Sequence, residues 1–290
     1  MGGAAEAGVA GAGERGAVLK IHGICLAKNE GDLMEYSLRE KLTWCDFIYI
    51  YDNGSTDDTW AIAQRMSAEE PERIFAFRSE DKTFHDGLRA EVFNHYRGSA
   101  QPGDWWCRAD VDELYVDNPR EFLAGVPQRH HVVWSAHIQY LFTEIDLARH
   151  EQVGSGNIPD DLPRYYIANY SEPRFFRHRA RLVWDEKGSW PVHMGIATPR
   201  RIRLKHYQFR SPSQIERRLA TRREAAARGW QHFPHSQVDD WRKKIDQSAS
   251  LHLDTGDGRF IIDEAAMPRH LEPPLRQILK LALHTLGIWP

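Results

Sequence analysis

The sequence predicts an α/β fold, an open and mostly parallel twisted sheet flanked by helices, on three observations. Two apolar runs each end in a cluster of carboxylates: Phe47-Ile-Tyr-Ile-Tyr-Asp52-Asn-Gly-Ser-Thr-Asp-Asp58, and Trp105-Trp-Cys-Arg-Ala-Asp110-Val-Asp112-Glu113. Runs this apolar read as strands buried on both faces, the pattern of parallel sheets covered by helices. The third observation is that such runs alternate with segments of helical spacing, which calls for crossover connections and hence parallel pairing.

Val18 to Lys28 is the first run, and Gly31 to Lys41 then spaces Leu33, Met34 and Leu38, with Leu42 just beyond, at helical intervals. Asp46 to Tyr51 is the next strand. Thr56 can cap a helix from Asp57 to Glu69, with Asp57 and Asp58 in the first turn, where the helix dipole favours negative charge. Arg73 to Arg78 is a short third strand, residues 84 to 97 a helix, and Pro102-Gly103 breaks the chain before the second acidic strand. After Pro119 the pattern changes. His131 to Phe142 is a long aromatic and β-branched strand, followed at 149 to 164 by a polar loop of the length that functional lids have. Pro173 to Trp184 and Ile202 to Phe209 add strands. Ser213 to Gly229 reads as a helix with Arg217, Arg218, Arg222 and Arg223 on its surface, and a last helix, Pro273 to Leu286, carries Leu275, Ile278, Leu279, Ala282 and Leu286 at helical spacing. The organisation expected is a disordered Gly/Ala-rich tail at 1–17, an α/β domain at 18–212 and a helical C-terminal extension at 213–290 packed on it.

With 290 residues, 41% hydrophobic and 27% charged, the composition is that of an ordinary globular chain. A formal net charge of -3 supplies no basic field, so nucleic acid is not expected as a partner. Cys25, Cys45 and Cys107 lie in or beside apolar runs without CxxC spacing, which fits buried thiols in a reducing cytosol better than disulfides or zinc ligands. The first sixteen residues lack the basic and apolar regions of a signal peptide. No stretch approaches the roughly 18 consecutive apolar residues of a membrane span. The expectation is a soluble, cytoplasmic protein, with peripheral membrane contact compatible with this composition.

Ligands of open α/β sheets bind beyond the carboxyl ends of the strands, so two acidic ends side by side make one pocket suited to a divalent cation. Asp110 and Asp112, two residues apart on an extended chain, point to the same side. Their plain alternative is a pair of solvated aspartates at a strand end.

Four segments, taken together and in this order, resemble the family 2-like glycosyltransferases of the GT-A fold, and within them the bacterial branch similar to family 92. They are Ile24-Cys-Leu-Ala-Lys28-Asn29-Glu30, Tyr51-Asp52-Asn53-Gly54-Ser55-Thr56-Asp57-Asp58-Thr59, Asp110-Val111-Asp112-Glu113, and Lys205-His206-Tyr207-Gln208-Phe209-Arg210-Ser211 with the Arg-rich helix after it. The resemblance covers about residues 20 to 225. It implies transfer of a sugar, with inversion, from a UDP- or GDP-linked nucleotide-sugar donor to a hydroxyl of a glycan, polysaccharide or other acceptor. It also implies Mn²⁺ or Mg²⁺, bound directly by Asp112 and closed off by His206. His193, in Trp190-Pro-Val-His-Met-Gly, is the competing imidazole.

By the same resemblance Asp110 lies near the ribose or a metal-bound water, and Asp52 contacts the base or ribose, although an aspartate before Asn-Gly is also an ordinary turn residue. Lys28 and Asn29 share that sheet edge, and Arg89 faces the nucleotide as a cation for the diphosphate. Inverting transfer needs a carboxylate to take the acceptor proton. Glu144 and Asp146, just after the long strand, are the first candidates, with Glu151, Asp185 and Glu186 behind them. Trp134, Tyr140, Phe142 and Trp190 are either core residues or sugar platforms. Two other functions remain. A nucleotidyltransferase would want a Gly-rich phosphate loop that Ala27-Lys28-Asn29-Glu30 does not supply, and a non-catalytic carbohydrate-binding relative would not need Asp110, Asp112 and His206 intact.

Overall fold

The computed structural model describes residues 19–153, 161–229 and 238–290. The expected tail and residues 154–160 of the expected lid lie outside these residues. In chain order the elements are β1 (Ile21–Ala27), α1 (Met34–Lys41), β2 (Phe47–Asp52), α2 (Thr59–Glu69), β3 (Ile74–Ser79), α3 (Leu88–Tyr96), β4 (Trp105–Arg108), β5 (Glu113–Tyr115), α4 (Pro119–Ala124) and β6 (Val132–Leu141). There follow α5 (Glu144–Val153), β7 (Tyr165–Tyr170), β8 (Pro173–Arg177), β9 (Ile202–His206), α6 (Pro212–Ala227), the two-residue β10 (His252–Leu253) and α7 (Pro274–Thr285).

The expected α/β sheet is present. Strands β3-β2-β1-β4 run parallel in that order, and beyond β4 the sheet continues antiparallel through β8, β6, β7 and β10. β9 lies parallel to β6 and also pairs with β5, so the ten-stranded sheet is mixed outside its parallel block. Alternate residues of the parallel strands go to opposite faces. Ile24, Leu26, Tyr49, Tyr51 and Trp106 pack with Leu88, Val92 and Phe93 of α3. Cys25, Ala27, Ile48, Ile50, Trp105 and Cys107 pack on the other face with Leu33, Met34 and Leu38 and with Ala63 and Met66 of α2. Double-sided cover explains why these runs are apolar without alternation. All three cysteines are buried and free.

Several boundaries differ from expectation. Thr56 does not cap α2: the helix starts at Thr59, and its N-cap residue Asp58 makes no side-chain capping bond. Asp57 just before it accepts from the Thr59 amide through Oδ1 at 3.0 Å and from the Gly31 amide through Oδ2 at 3.1 Å, tying the two loops together. α3 begins at Leu88 because the chain before it bends against the segment around Glu186. A Cβ on Gly87 would lie 1.6 Å from the Glu186 carbonyl oxygen, so only glycine admits this approach. β8 stops at Arg177, and residues 149–153 are the last part of α5 rather than loop. α6 has the start its sequence implies: Ser211 caps it through the Gln214 amide and Pro212 opens it. The extension is helical at α6 and α7 and irregular in most of the described chain between, where β10 adds to the edge of β7. No helix among the described residues is long and apolar enough to cross a membrane.

Candidate functional site

β1, β2 and β3 follow one another outward, and β4 returns to the other side of β1. At such a switch point the loops beyond two neighbouring strands diverge and leave a crevice. Here it is a cavity of about 930 Å³. It is lined by Lys28, Asn29 and Glu30 after β1, Asn53 after β2 and Asp110 to Glu113 after β4. Residues 82–87, Glu186, Lys187 and Ser189 add to it, and α6 with its C-cap contributes Arg218, Thr221, Arg222, Glu224, Ala225 and Arg228. Positions 218, 221, 222, 225 and 228 stand at i, i+3, i+4, i+7 and i+10 and so share one helix face.

The two aspartates of the Asp-X-Asp segment have different partners. Asp112 Oδ2 lies 3.4 Å from His206 Nε2 and 3.1 Å from an Arg218 guanidinium nitrogen. The β5–β9 pairing that sets Glu113 opposite His206 makes this contact, and the Tyr207 amide donates to the Asp112 carbonyl at 2.8 Å. Asp110 Oδ1 accepts from Arg89 at 2.6 Å, and Arg89 also holds Asp86 at 3.0 Å. Burial alone would raise both carboxyls, but neighbouring cations outweigh it. Arg218 and His206 hold Asp112 well below the usual range, and Arg89, Arg174 and Arg108 hold Asp110 below it. His206 moves the other way: burial disfavours its charged form, and Asp112 more than compensates, raising it.

Asp112 and His206 offer a carboxylate and an imidazole at one point, a donor pair that suits Mn²⁺ or Mg²⁺ completed by further oxygen ligands. The residues fit such an ion, although Arg218 already takes the same Asp112 oxygen. A second acidic and imidazole grouping lies alongside. Glu113, His137 and Glu172 present ligand atoms within 4.8 Å of one another, and the His137 ring is 5.7 Å from that of His206. Arg174, buried, pairs with both carboxylates, with Glu172 at 2.6 Å, so positive charge already occupies that grouping. Burial pushes Glu113 up to about 7 against the pull of Arg174, and neither His137 nitrogen has a hydrogen-bond partner.

Of the residues singled out from the sequence, Lys28, Asn29, Arg89, Asp110, Asp112 and His206 line the one cavity. Asn29, in the left-handed region at φ 56°, accepts from the Thr56 amide at 2.8 Å and donates to Thr221 at 3.3 Å, joining the second strand's loop to α6. Asp52 is elsewhere. Fully buried and not among the lining residues, it accepts from Ser79 Oγ at 2.6 Å and from the Ser55 amide at 3.1 Å, and so shapes the turn. The lining residue there is Asn53, whose buried Oδ1 has no donor.

Glu144 and Asp146 are not brought to the cavity. Asp146, buried, accepts from the Thr143 amide at 2.9 Å and hydroxyl at 2.7 Å, while Glu144 accepts from the Ser248 amide at 2.9 Å and anchors the extension. Glu151 lies on the same helix, α5. His193 lines a separate cavity of about 470 Å³, stacked on Trp289 with centroids 4.0 Å apart. Tyr140 and Phe142 are core residues, and Trp190 lies beneath the Arg108 guanidinium at 3.8 Å. The residues that sequence reasoning passed over are Glu30, which holds Arg210 at 2.5 Å and Arg218 at 2.8 Å, and Arg174, Glu172 and Arg228. The helical spacing of 218, 221, 222, 225 and 228 was the available signal for Arg228. Arg174 had none, because only the pairing of β8 with β4 brings it here.

No protein-family model matches the chain, and no curated protein matches it. Among solved structures it is similar to the mannosyltransferase PcManGT from Pyrobaculum calidifontis in complex with GDP-Man and Mn²⁺, with TM-score 0.38 and 13% identity over 73% of this chain and 65% of that one. It is also similar to a 4-diphosphocytidyl-2C-methyl-D-erythritol synthase, with TM-score 0.29 and 11% identity over 92% and 98% of the two chains. The chain thus spans less than two thirds of the length of the first. Both likenesses are distant, and the residues of the cavity have to carry any functional reading.

Proposed function

We propose that the chain is a glycosyltransferase that moves a sugar from a UDP- or GDP-linked donor to a hydroxyl acceptor, with inversion. The observation that supports this reading is the meeting, in one cavity at the switch point, of Asp110, Asp112 and His206 with the cationic face of α6. A sugar nucleotide carries two phosphates whose charge grows as the sugar leaves. Arg218, Arg222, Arg228 and Lys28 face that charge, and guanidinium groups bind phosphate oxygens in pairs. Asp112 and His206 would hold Mn²⁺ or Mg²⁺, which supplies Lewis-acid stabilisation of the leaving diphosphate when bound. Asp110, oriented by Arg89, accepts from ribose hydroxyls, and the free Oδ1 of Asn53 accepts from the base.

The proton acceptor in this reading is Glu186. Every other carboxylate that lines the cavity, from Glu30 to Glu224, is paired with a cation. Glu186 has no hydrogen-bond or ion-pair partner among the described residues, and its segment is held by the close fit over Gly87. The acceptor oxygen gives its proton to Glu186, forms a bond to the anomeric carbon from the face opposite the donor phosphate, and the bond to the diphosphate oxygen breaks.

A thermal-shift panel of nucleotide sugars with and without Mn²⁺ tests the reading. A ligand that binds only the folded chain stabilises it by RT ln(1 + [L]/Kd), about 2.7 kcal/mol at a hundredfold excess over Kd. Stabilisation by a UDP- or GDP-sugar, with nucleoside diphosphate released on adding acceptor, supports it. Pyrophosphate release from a nucleoside triphosphate assigns nucleotidyl transfer instead, and donor binding without turnover assigns a carbohydrate-binding role.

A further inference from the structure

Helix α7 presents its side chains in reverse for a helix that packs on a domain. At about 100° per residue, Leu275, Ile278, Leu279, Ala282 and Leu286 fall on one side, and a surface helix buries such a stripe against its core. Here the stripe faces solvent. Leu275 is 81% exposed, Ile278 64%, Leu279 59% and Leu286 73%. The polar side is the one turned inward. Gln277 donates to the Glu272 carbonyl at 2.7 Å, Lys280 pairs with Glu272 at 2.8 Å, and the His284 ring lies 4.8 Å from that of His131. The apolar surface continues past the helix, with Ile288 exposed beside Trp289, and with Val192 exposed next to His193, the residue stacked on Trp289.

Contiguous exposed apolar side chains of this extent mark a docking surface. Charge indicates which. From Pro273 to Pro290 there is no acidic side chain. Arg276 is exposed and without a partner among the described residues, and Arg181, also exposed, donates to the Trp289 carbonyl at the far end of the patch. A second copy of the chain laid on this face would set cations against cations. An anionic bilayer answers both features, taking the apolar stripe between its headgroups and facing the cations with lipid charge. Twelve residues extend about 18 Å, too short to span, so the helix lies in the plane of the surface.

We infer that α7, with the turn to Trp289, docks the protein on anionic membrane surfaces. Flotation of the full chain tests this with vesicles of phosphatidylcholine alone and of phosphatidylcholine with phosphatidylglycerol, at low and high salt. The wild type is expected to float with the phosphatidylglycerol vesicles, and less so at high salt. Leu279→Asp combined with Leu286→Asp should abolish flotation at an unchanged melting temperature, since both side chains are exposed. Arg276→Ala should weaken binding to the anionic vesicles about fivefold, as a cation at an anionic leaflet contributes about 1 kcal/mol. Absence of flotation with phosphatidylglycerol overturns the proposal, as does flotation of the double variant at wild-type level. A wild type that is dimeric, becomes monomeric on the double substitution and ignores both vesicles assigns the face to a second copy.

Discussion

His206 Nε2 stands 3.4 Å from Asp112 Oδ2, although the two residues are far apart in the sequence. The contact follows from two short strands, β5 and β9, whose antiparallel register sets Glu113 opposite His206 and so brings the imidazole to the aspartate beside it. Arg218 completes the group from α6, bonding Asp112 and Glu30 together. Three structural elements thus converge on one carboxylate, and what that carboxylate binds decides the chemistry of the cavity.

If Asp112 and His206 hold the metal, Asp112→Asn should remove Mn²⁺ binding measured calorimetrically in the presence of UDP or GDP, without loss of fold. His206→Ala should weaken it by more than the about 10–100-fold typical of residues that only orient a ligand. His193→Ala should leave it unchanged, because that ring is stacked on Trp289 outside the cavity. Equal effects of the two histidine substitutions would remove His206 from the metal shell.

Arg218 bonds Asp112 at 3.1 Å, so under the proposed function it would compete with a cation for that carboxylate and would face the donor phosphates, and its replacement should act on the two ligands in opposite directions. Arg218→Met is expected to strengthen binding of Mn²⁺ alone and to weaken binding of the nucleoside diphosphate. Glu30 keeps Arg210 as a partner at 2.5 Å, which protects the fold. Parallel titrations of metal and of nucleotide, each with the other absent, separate the effects. A fall in both affinities would mean that Arg218 only organises the site.

The assignment of the base rests on which carboxylate is free, and kinetics can test it. Glu186→Gln should lower turnover by about 10²–10⁴-fold, the usual contribution of general base catalysis, with donor Kd unchanged. Glu144→Gln and Asp146→Asn should leave turnover near wild type, since these side chains serve Ser248 and Thr143. Full activity in Glu186→Gln together with a large loss in Glu144→Gln would return the role to α5.

The parallel half of the sheet was legible because strands covered on both faces leave continuous apolar runs, and because carboxylates at their ends have no reason to interrupt such runs unless something binds there. Asp110 and Asp112 follow from that logic, whereas Arg89 came only from the family resemblance. Asp52 shows its limit. Strand ends alternate in direction, and the residue turned toward the cavity is Asn53, one position on, while Asp52 closes on Ser55 and Ser79. β5, α4 and β7 are too short or too polar to announce themselves, and α5 buries its Leu147 against a small cluster of Phe142, Phe209, Ile215 and Leu219 that only the tertiary fold assembles. The α7 stripe is legible as helical from its spacing, but periodicity does not distinguish an apolar face that meets a core from one that meets solvent.

Far from the cavity, His22 provides a pH dependence whose sign can be worked out. It is fully buried on β1, with Nδ1 3.0 Å from the Tyr49 hydroxyl and its ring 4.6 Å from that of Trp106. Burial lowers it from 6.5 to about 4, only partly opposed by the nearby Asp104 carboxylate. Between those values the unfolded chain takes up a proton that the folded chain refuses, so stability is complete above pH 6.5 and falls as the pH drops toward 4. Each tenfold fall in proton affinity on folding costs about 1.4 kcal/mol, so the loss reaches about 3 kcal/mol. His22→Phe keeps the stacking on Trp106 and removes the titration, while Asp104 retains the amides of Lys20 at 3.1 Å and Gln101 at 2.7 Å. Denaturant midpoints measured across this range should therefore decline less steeply with acid in the variant than in the wild type. Parallel curves would show that acid sensitivity in this range arises at other groups.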